Sequence, residues 1–249
     1  MEKLFQIAAD DGQPLQLNWL EGRQDRPVLV FFCGFQSNFV GEKAACVAEF
    51  ARRNGLACLR FDYRGHGGSG GDFNDYTPED WLADAIDAIA TIGDRPLVLV
   101  GSSMGAWLAI HAGLRLPSER LAGLLTIAAA TDFPTRIMEP NLGPHEREQL
   151  SSQGWFFRSS PYGGARIKQT MLDAGRRMEI LGSPIAIHCP VRLLHGNADK
   201  TVPWQVSAET LAALESNDAR LILIKNADHR LSDPASLELI EKCLEEILR

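Results

Sequence analysis

Three features of this sequence predict an α/β protein built on a mostly parallel sheet of about eight strands, with helices on both faces. Short continuous apolar runs at Val28–Phe32, Ala57–Phe61, Leu97–Val100, Ala122–Ala128 and Val191–Leu194 are what strands covered on both sides require. Helical patterning fills most of the gaps between them, the alternation that gives a parallel sheet. The third run ends in Gly101-Ser102-Ser103-Met104-Gly105, a glycine-bracketed serine at a strand-to-helix turn. At 249 residues and 45% hydrophobic, the chain suits one such domain with an insertion.

In chain order, Leu4–Ala8 and Leu15–Leu20 read as an antiparallel pair. Leu15, Leu17 and Trp19 alternate with polar residues, and Asp10-Asp11-Gly12 supplies the turn. The strand Val28–Phe32 ends in the loop Cys33-Gly34-Phe35-Gln36-Ser37-Asn38, and a helix from about Glu42 to Arg53 follows. After Ala57–Phe61 comes a glycine-rich loop from Asp62 to Gly71. A helix then opens at Thr77-Pro78-Glu79-Asp80, with a capping residue, a proline at the first helical position and acids in the first turn. The serine's own helix runs to about Leu116. From 131 to 187 the rhythm breaks, with Pro134, Pro140, Pro144, Pro161 and the Gly163-Gly164 pair between helical patches near His145–Gln153 and Arg166–Ile180. This stretch carries a net charge of +1 against −8 for the rest of the chain. It is expected to be a helical lid inserted into a core domain formed by 1–130 and 188–249, because long excursions in compact domains usually serve binding. Helices at Trp204–Leu214 and Pro234–Leu248 flank a last strand at Arg220–Ile224.

Net charge −7 with no basic run argues against nucleic acid or an anionic membrane surface as partner. The 95–115 stretch has no charged residue between its terminal arginines, but its glycines, serines and His111 predict a buried strand and helix rather than a membrane insertion. Five cysteines with no Cys-x-x-Cys pair indicate neither a disulfide framework nor a zinc site, so no metal or cofactor is expected. Met1-Glu2-Lys3 leads into strand-like sequence without an apolar signal core, which predicts a cytoplasmic protein. Gly65-His66-Gly67-Gly68-Ser69-Gly70 matches the dinucleotide-binding fingerprint, yet no helix follows until Thr77, so the context is wrong.

A serine hydroxyl needs a base, a group to orient that base, and donors for the oxyanion. Ser103 is the candidate nucleophile. His229 is the histidine that follows the last strand, on the sheet edge where active-site groups of open α/β sheets gather, and it is the candidate base. Asp199, in the loop after the preceding strand, is the favoured acid; Asp132 is the alternative, and Asp228 has no separate strand to place it. The oxyanion donors are expected to be the backbone amides of Met104 and Phe35, with Gln36 and Ser37 adding donors or shaping the acyl pocket. His195 and His188 read as histidines satisfied beside strands, His66 and His111 as structural, and His145 as lid surface.

These residues resemble the α/β-hydrolase superfamily almost end to end, with Asp62-x-Arg64-Gly65-His66-Gly67-x-Ser69 as the family's loop. Within it, the sequence is most similar to the acyl-glucuronide esterases and palmitoyl-protein thioesterases. That similarity rests on Gly34-Phe35-x-Ser37, Gly41-x-Lys43-Ala44, Gly101-Ser102-Ser103-x-Gly105-x-Trp107-Leu108, the run Pro184 to Gly196, Val202-Pro203-Trp204 and Asp228-His229-Arg230. The resemblance implies Ser103, Asp199 and His229 as the triad. Two departures are Cys33, where many members have histidine, and the lack of an organelle presequence. The expected activity is hydrolysis of a carboxylic ester or thioester, on a small molecule or an acylated protein. Trp155, Phe156, Phe157, Ile137, Met138 and Trp204 are candidates for an apolar acyl pocket, and Arg158 or Arg166 for an anionic leaving group such as a glucuronate. The rival readings are a hydrolase-fold binding protein or receptor with little turnover, and an amidase, peptidase or acyltransferase using the same triad.

Overall fold

The computed structural model describes residues 2–160 and 163–249, and its strands and helices follow the apolar periodicity closely. An antiparallel pair, β1 (Glu2–Ala8) and β2 (Pro14–Leu20), precedes β3 (Val28–Phe32), α1 (Glu42–Arg53) and β4 (Ala57–Phe61). Next come α2 (Pro78–Ala90), β5 (Leu97–Ser102), α3 (Met104–Arg115) and β6 (Leu121–Ile127). After the 131–187 stretch the alternation resumes with β9 (Val191–Gly196), α6 (Gln205–Ala213), β10 (Ala219–Ile224) and α7 (Pro234–Ile247). The eight strands outside that stretch form one sheet in the order β1-β2-β4-β3-β5-β6-β9-β10. Only the β1–β2 and β2–β4 pairs are antiparallel.

The central strands β3, β4, β5 and β9 are buried along their whole length, which is why their sequences carry no alternation. Helix α2 starts with the predicted cap: the Thr77 backbone amide and hydroxyl both donate to Asp80, each at 2.7 Å. Two glycines let α3 lie close on the sheet. A Cβ at Gly105 would collide with the carbonyls of Phe32 and Cys33, and one at Gly101 with the backbone of Ala106.

The 131–187 stretch departs from an all-helical expectation. It holds α4 (Pro144–Gln153) and α5 (Gln169–Arg177), but between them lies a hairpin of β7 (Trp155–Ser160) and β8 (Gly163–Lys168). Arg166 begins no helix; α5 starts at Gln169. The alternation that drives the hairpin is visible in the burial, with Phe156, Ala165 and Ile167 in the core and Phe157 exposed. Pro161 lies outside the described residues. The hairpin docks on the loop before α2, where the Arg166 amide donates to Asn74 and Lys168 pairs with Asp75, both at 2.7 Å. Among the described residues no helix is long and apolar enough to cross a membrane.

Candidate active site

Ser103 sits at the turn from β5 into α3 with φ +56° and ψ −123°, a backbone region that side-chain-bearing residues rarely occupy. Its surroundings over-determine that conformation: its amide donates to the Ile127 carbonyl (2.9 Å), and its own carbonyl accepts from Ala106 (3.0 Å) and Ala130 (3.2 Å). The sharp turn lifts the hydroxyl clear of the sheet edge, where the loops after β9 and β10 converge on it.

The convergence is a continuous hydrogen-bonded chain. His229 Nε2 lies 3.1 Å from Ser103 Oγ, and His229 Nδ1 lies 2.6 Å from Asp199 Oδ2. The Asp199 side chain is fully buried and the His229 side chain is 24% exposed. Burial alone opposes the charge on Asp199, but hydrogen bonds from His195 and His229 outweigh it and hold the carboxyl well below the usual carboxylate range. Its other oxygen, Oδ1, accepts from the amides of Thr201 (2.8 Å) and Val202 (2.9 Å), which fixes the plane of the carboxylate. With the carboxylate accepting from Nδ1, Nε2 is left as an acceptor facing the Ser103 hydroxyl, an arrangement able to take a proton from it.

Asp132, the alternative acid, is engaged elsewhere. Its two oxygens accept from the backbone amides of Ile180 (2.9 Å) and Leu181 (3.0 Å), so it anchors the far end of the 131–187 stretch. Asp228 accepts from the amide of Arg230 in its own turn.

Gly34 lies against Ser103, and a Cβ there would be 3.4 Å from Ser103 Cβ. This brings the β3 loop carrying Phe35 to the head of α3. Neither the Phe35 nor the Met104 amide has a hydrogen-bond partner among the described residues. Gln36, at φ +55°, donates its amide to His66 Nε2 at 3.3 Å, while His66 Nδ1 faces the Arg64 carbonyl. Burial pushes the His66 imidazole down to about 4, so it stays neutral and able to accept. The glycine-rich loop is thus a support for the β3 loop. It folds back on Asp62, which accepts from the amides of Gly68 and Phe39, and opens no helix.

A cavity of about 340 Å³ opens beside Ser103, lined by Phe35, Gln36, Ser37, Asn38, Val40, Lys43, His229, Arg230 and Ser232 among others. Phe35, Gln36 and Ser37 are thus among its walls, and Lys43 is a member that sequence reasoning missed. Its ammonium donates to the Arg230 carbonyl at 2.5 Å, tying the start of α1 to the loop of His229. Burial, and secondarily the Arg230 charge, lowers its affinity for the proton.

Trp155, Phe156, Phe157, Ile137, Met138 and Trp204 are not among the residues that line this cavity. Phe156 is fully buried in the main core, with the Arg158 guanidinium 5.2 Å from its ring centre. Trp155 is covered by Arg166 at 5.4 Å, and Trp204 caps the start of α6. Ile137 and Met138 are buried in packing. Arg158 is paired with Glu146 at 3.2 Å and Arg166 is stacked on Trp155, so neither guanidinium faces the site. The alternating in-out pattern of a hairpin is the physical reason: only every second aromatic turns to a given side, and the inward one is spent on the core.

The fold and the geometry at Ser103 agree with the comparison to known proteins: the model of the α/β hydrolase family matches residues 29–238, and the chain belongs to that family and is a hydrolase. Among its relatives is the human mitochondrial palmitoyl-protein thioesterase ABHD10, 34% identical over 226 residues that span 89% of this chain and 73% of the human protein. A solved structure of a putative hydrolase from Agrobacterium vitis superposes with a TM-score of 0.93 over the whole of both chains at 29% identity. The mouse α/beta hydrolase domain-containing protein 10 gives 0.87 over 98% of each chain at 32% identity.

Proposed function

We propose that this protein cleaves carboxylic esters or thioesters through an acyl-enzyme on Ser103. His229 takes the serine proton and returns it to the leaving oxygen or sulfur, and Asp199 holds the imidazole in the required tautomer and stabilises its cation. The amides of Phe35 and Met104 receive the oxyanion, aided by the N-terminal end of α3. Water then attacks the acyl-enzyme along the same route and releases the acid.

The observation that carries this reading is the chain Ser103–His229–Asp199 at 3.1 and 2.6 Å, drawn from loops far apart in sequence. The ester and thioester class is supported by relatives named palmitoyl-protein thioesterase. An acylated protein is therefore a substrate class beside small esters. Gln36 and Ser37 shape the cavity wall nearest the oxyanion. The stretch 131–187 acts as a lid on the 1–130 and 188–249 core; the Asp132 clamp draws its two ends together, and the His111 Nε2 contact to the Met178 carbonyl at 2.9 Å joins it to the core. A cytoplasmic location fits five cysteines that are all unpaired thiols.

The test is fluorophosphonate labelling together with burst release of p-nitrophenol from a short-chain ester and thiol release from a matched thioester. Labelling at Ser103, absent in Ser103→Ala, supports the reading. A protein that turns over both substrates while Ser103 stays unlabelled refutes it.

A further inference from the structure

The acid of the triad is shared between two histidines. Asp199 Oδ2 accepts from His229 Nδ1 on one side, and His195 Nε2 stands 3.1 Å from the same oxygen on the other. His195 lies on β9 four residues before Asp199, and neither side chain has any exposure. Its Nε2 also faces the Val202 carbonyl at 3.1 Å. Two acceptors on one nitrogen require that nitrogen to carry the hydrogen. The other nitrogen, Nδ1, is 2.7 Å from Ser207 Oγ on α6, so in the neutral ring it accepts from that hydroxyl. The hydrogen-bonded chain thus runs on past the acid, from Ser103 through His229, Asp199 and His195 to Ser207.

We propose that His195, whose Nε2 hydrogen is fixed by the Asp199 carboxylate and the Val202 carbonyl and whose ring is held by Ser207, is a positioning residue that tunes the strength of the catalytic base through Asp199. This rests on the triad reading above. The carboxylate does not need His195 for its orientation, because Oδ1 is already held by the amides of Thr201 and Val202. What His195 supplies is a second donor to the one oxygen that serves His229. That donor withdraws negative charge from Oδ2 and weakens its hold on the imidazolium. From α6, the group facing His195 is Ser207, and Asp199 is its one charged partner among the described residues. His229 is faced by Asp199 and Ser103, while its chain neighbours Asp228 and Arg230 turn to the Arg230 amide and to Glu42.

The experiment measures kcat and KM for a p-nitrophenyl ester from pH 5 to 9 in the full chain, with fluorophosphonate labelling of Ser103 and a thermal melt for each variant. The double variant His195→Leu/Ser207→Ala removes the donor without leaving the hydroxyl stranded. Ser207→Ala alone removes the hydrogen bond that holds the ring at Nδ1, with little loss of packing, and His195→Gln keeps a donor. The expected result is an acid limb of kcat/KM moved to higher pH by about half a unit or more in the double variant. A smaller move in the same direction is expected in Ser207→Ala, recovery toward the parent in His195→Gln, and KM unchanged in all. A merely structural role would lower activity evenly across pH in step with the melt. If Ser103 labels normally and the acid limb stays put in both the double variant and Ser207→Ala, the inference is overturned and the triad reading stands. Failure of Ser103 to label in the parent would instead sink the triad itself.

Discussion

Replacing Ser103 by glycine should make the protein more stable than replacing it by alanine, although both variants are inactive. The parent residue is held at φ +56°, ψ −123°, where a Cβ clashes with the backbone, at a cost of about 1–3 kcal/mol. Alanine keeps the Cβ and hence the strain. Both variants lose the same hydrogen bond to His229, so that term cancels in their comparison. Glycine removes the strain but gives its unfolded chain extra freedom, which costs about 0.5–1 kcal/mol relative to alanine. The net gain is roughly 0.5–2 kcal/mol, or about 2–4 °C in Tm per kcal/mol for a chain of this size. Paired urea and thermal unfolding of Ser103→Gly and Ser103→Ala measure it, with ester hydrolysis showing that kcat drops by up to about 10⁶ in each. If the alanine variant melts at the same temperature as the glycine variant or above it, the turn stores no strain and the argument for a sprung nucleophile fails.

Asp199→Asn should cost about 10⁴ in kcat with KM little changed, whereas Asp132→Asn should alter stability and leave the chemistry intact; steady-state kinetics on both separates catalyst from clamp. Gly105→Ala should fail to fold or lose several kcal/mol, because the added methyl meets the carbonyls of Phe32 and Cys33, and soluble yield with a urea melt checks it. The His66 and His111 imidazoles are pushed by burial down to about 4 in the fold, against about 6.5 unfolded. Their neutral forms therefore support the fold above about pH 6.5, and that support is lost as pH falls toward 4, by about 3 kcal/mol for each. Asp62 and Asp84, raised by burial to about 6, work in the opposite direction over much of this range. The difference between His111→Gln and parent isolates the histidine: the variant should lose less stability between pH 6.5 and 4, and equal slopes would refute this. Finally, Trp155→Ala should leave KM for short esters within about twofold, since its ring is outside the cavity, while Lys43→Met should raise KM or lower kcat by loosening the His229 loop.

The serine turn and the meeting of Ser103, His229 and Asp199 were legible from the chain alone because each obeys a local rule. Gly101 and Gly105 stand where α3 must lie close on β5 and β3, and the apolar runs mark the strands whose ends deliver Asp199 and His229 to one edge. The β3 loop was readable for the same reason, since its position follows from its strand. The walls of the cavity were not readable. Whether Trp155, Phe156 or Val40 faces a substrate depends on which side of a hairpin or helix meets the core, and that is set by partners distant in sequence. Period-two alternation from Gly164 to Ile167 was the available signal for the hairpin, while its partner strand is masked by the aromatic run Trp155-Phe156-Phe157, which also suits a pocket. Likewise His195 and Asp199, four apart, hint at a pair, but only the packing of α6 against β9 brings Ser207 to the ring and makes a chain of five groups. Local backbone geometry is encoded by neighbouring residues, and so the sequence states it; the lining of a cavity and the sharing of a proton acceptor arise from side chains meeting across the sheet, and only the folded chain decides them.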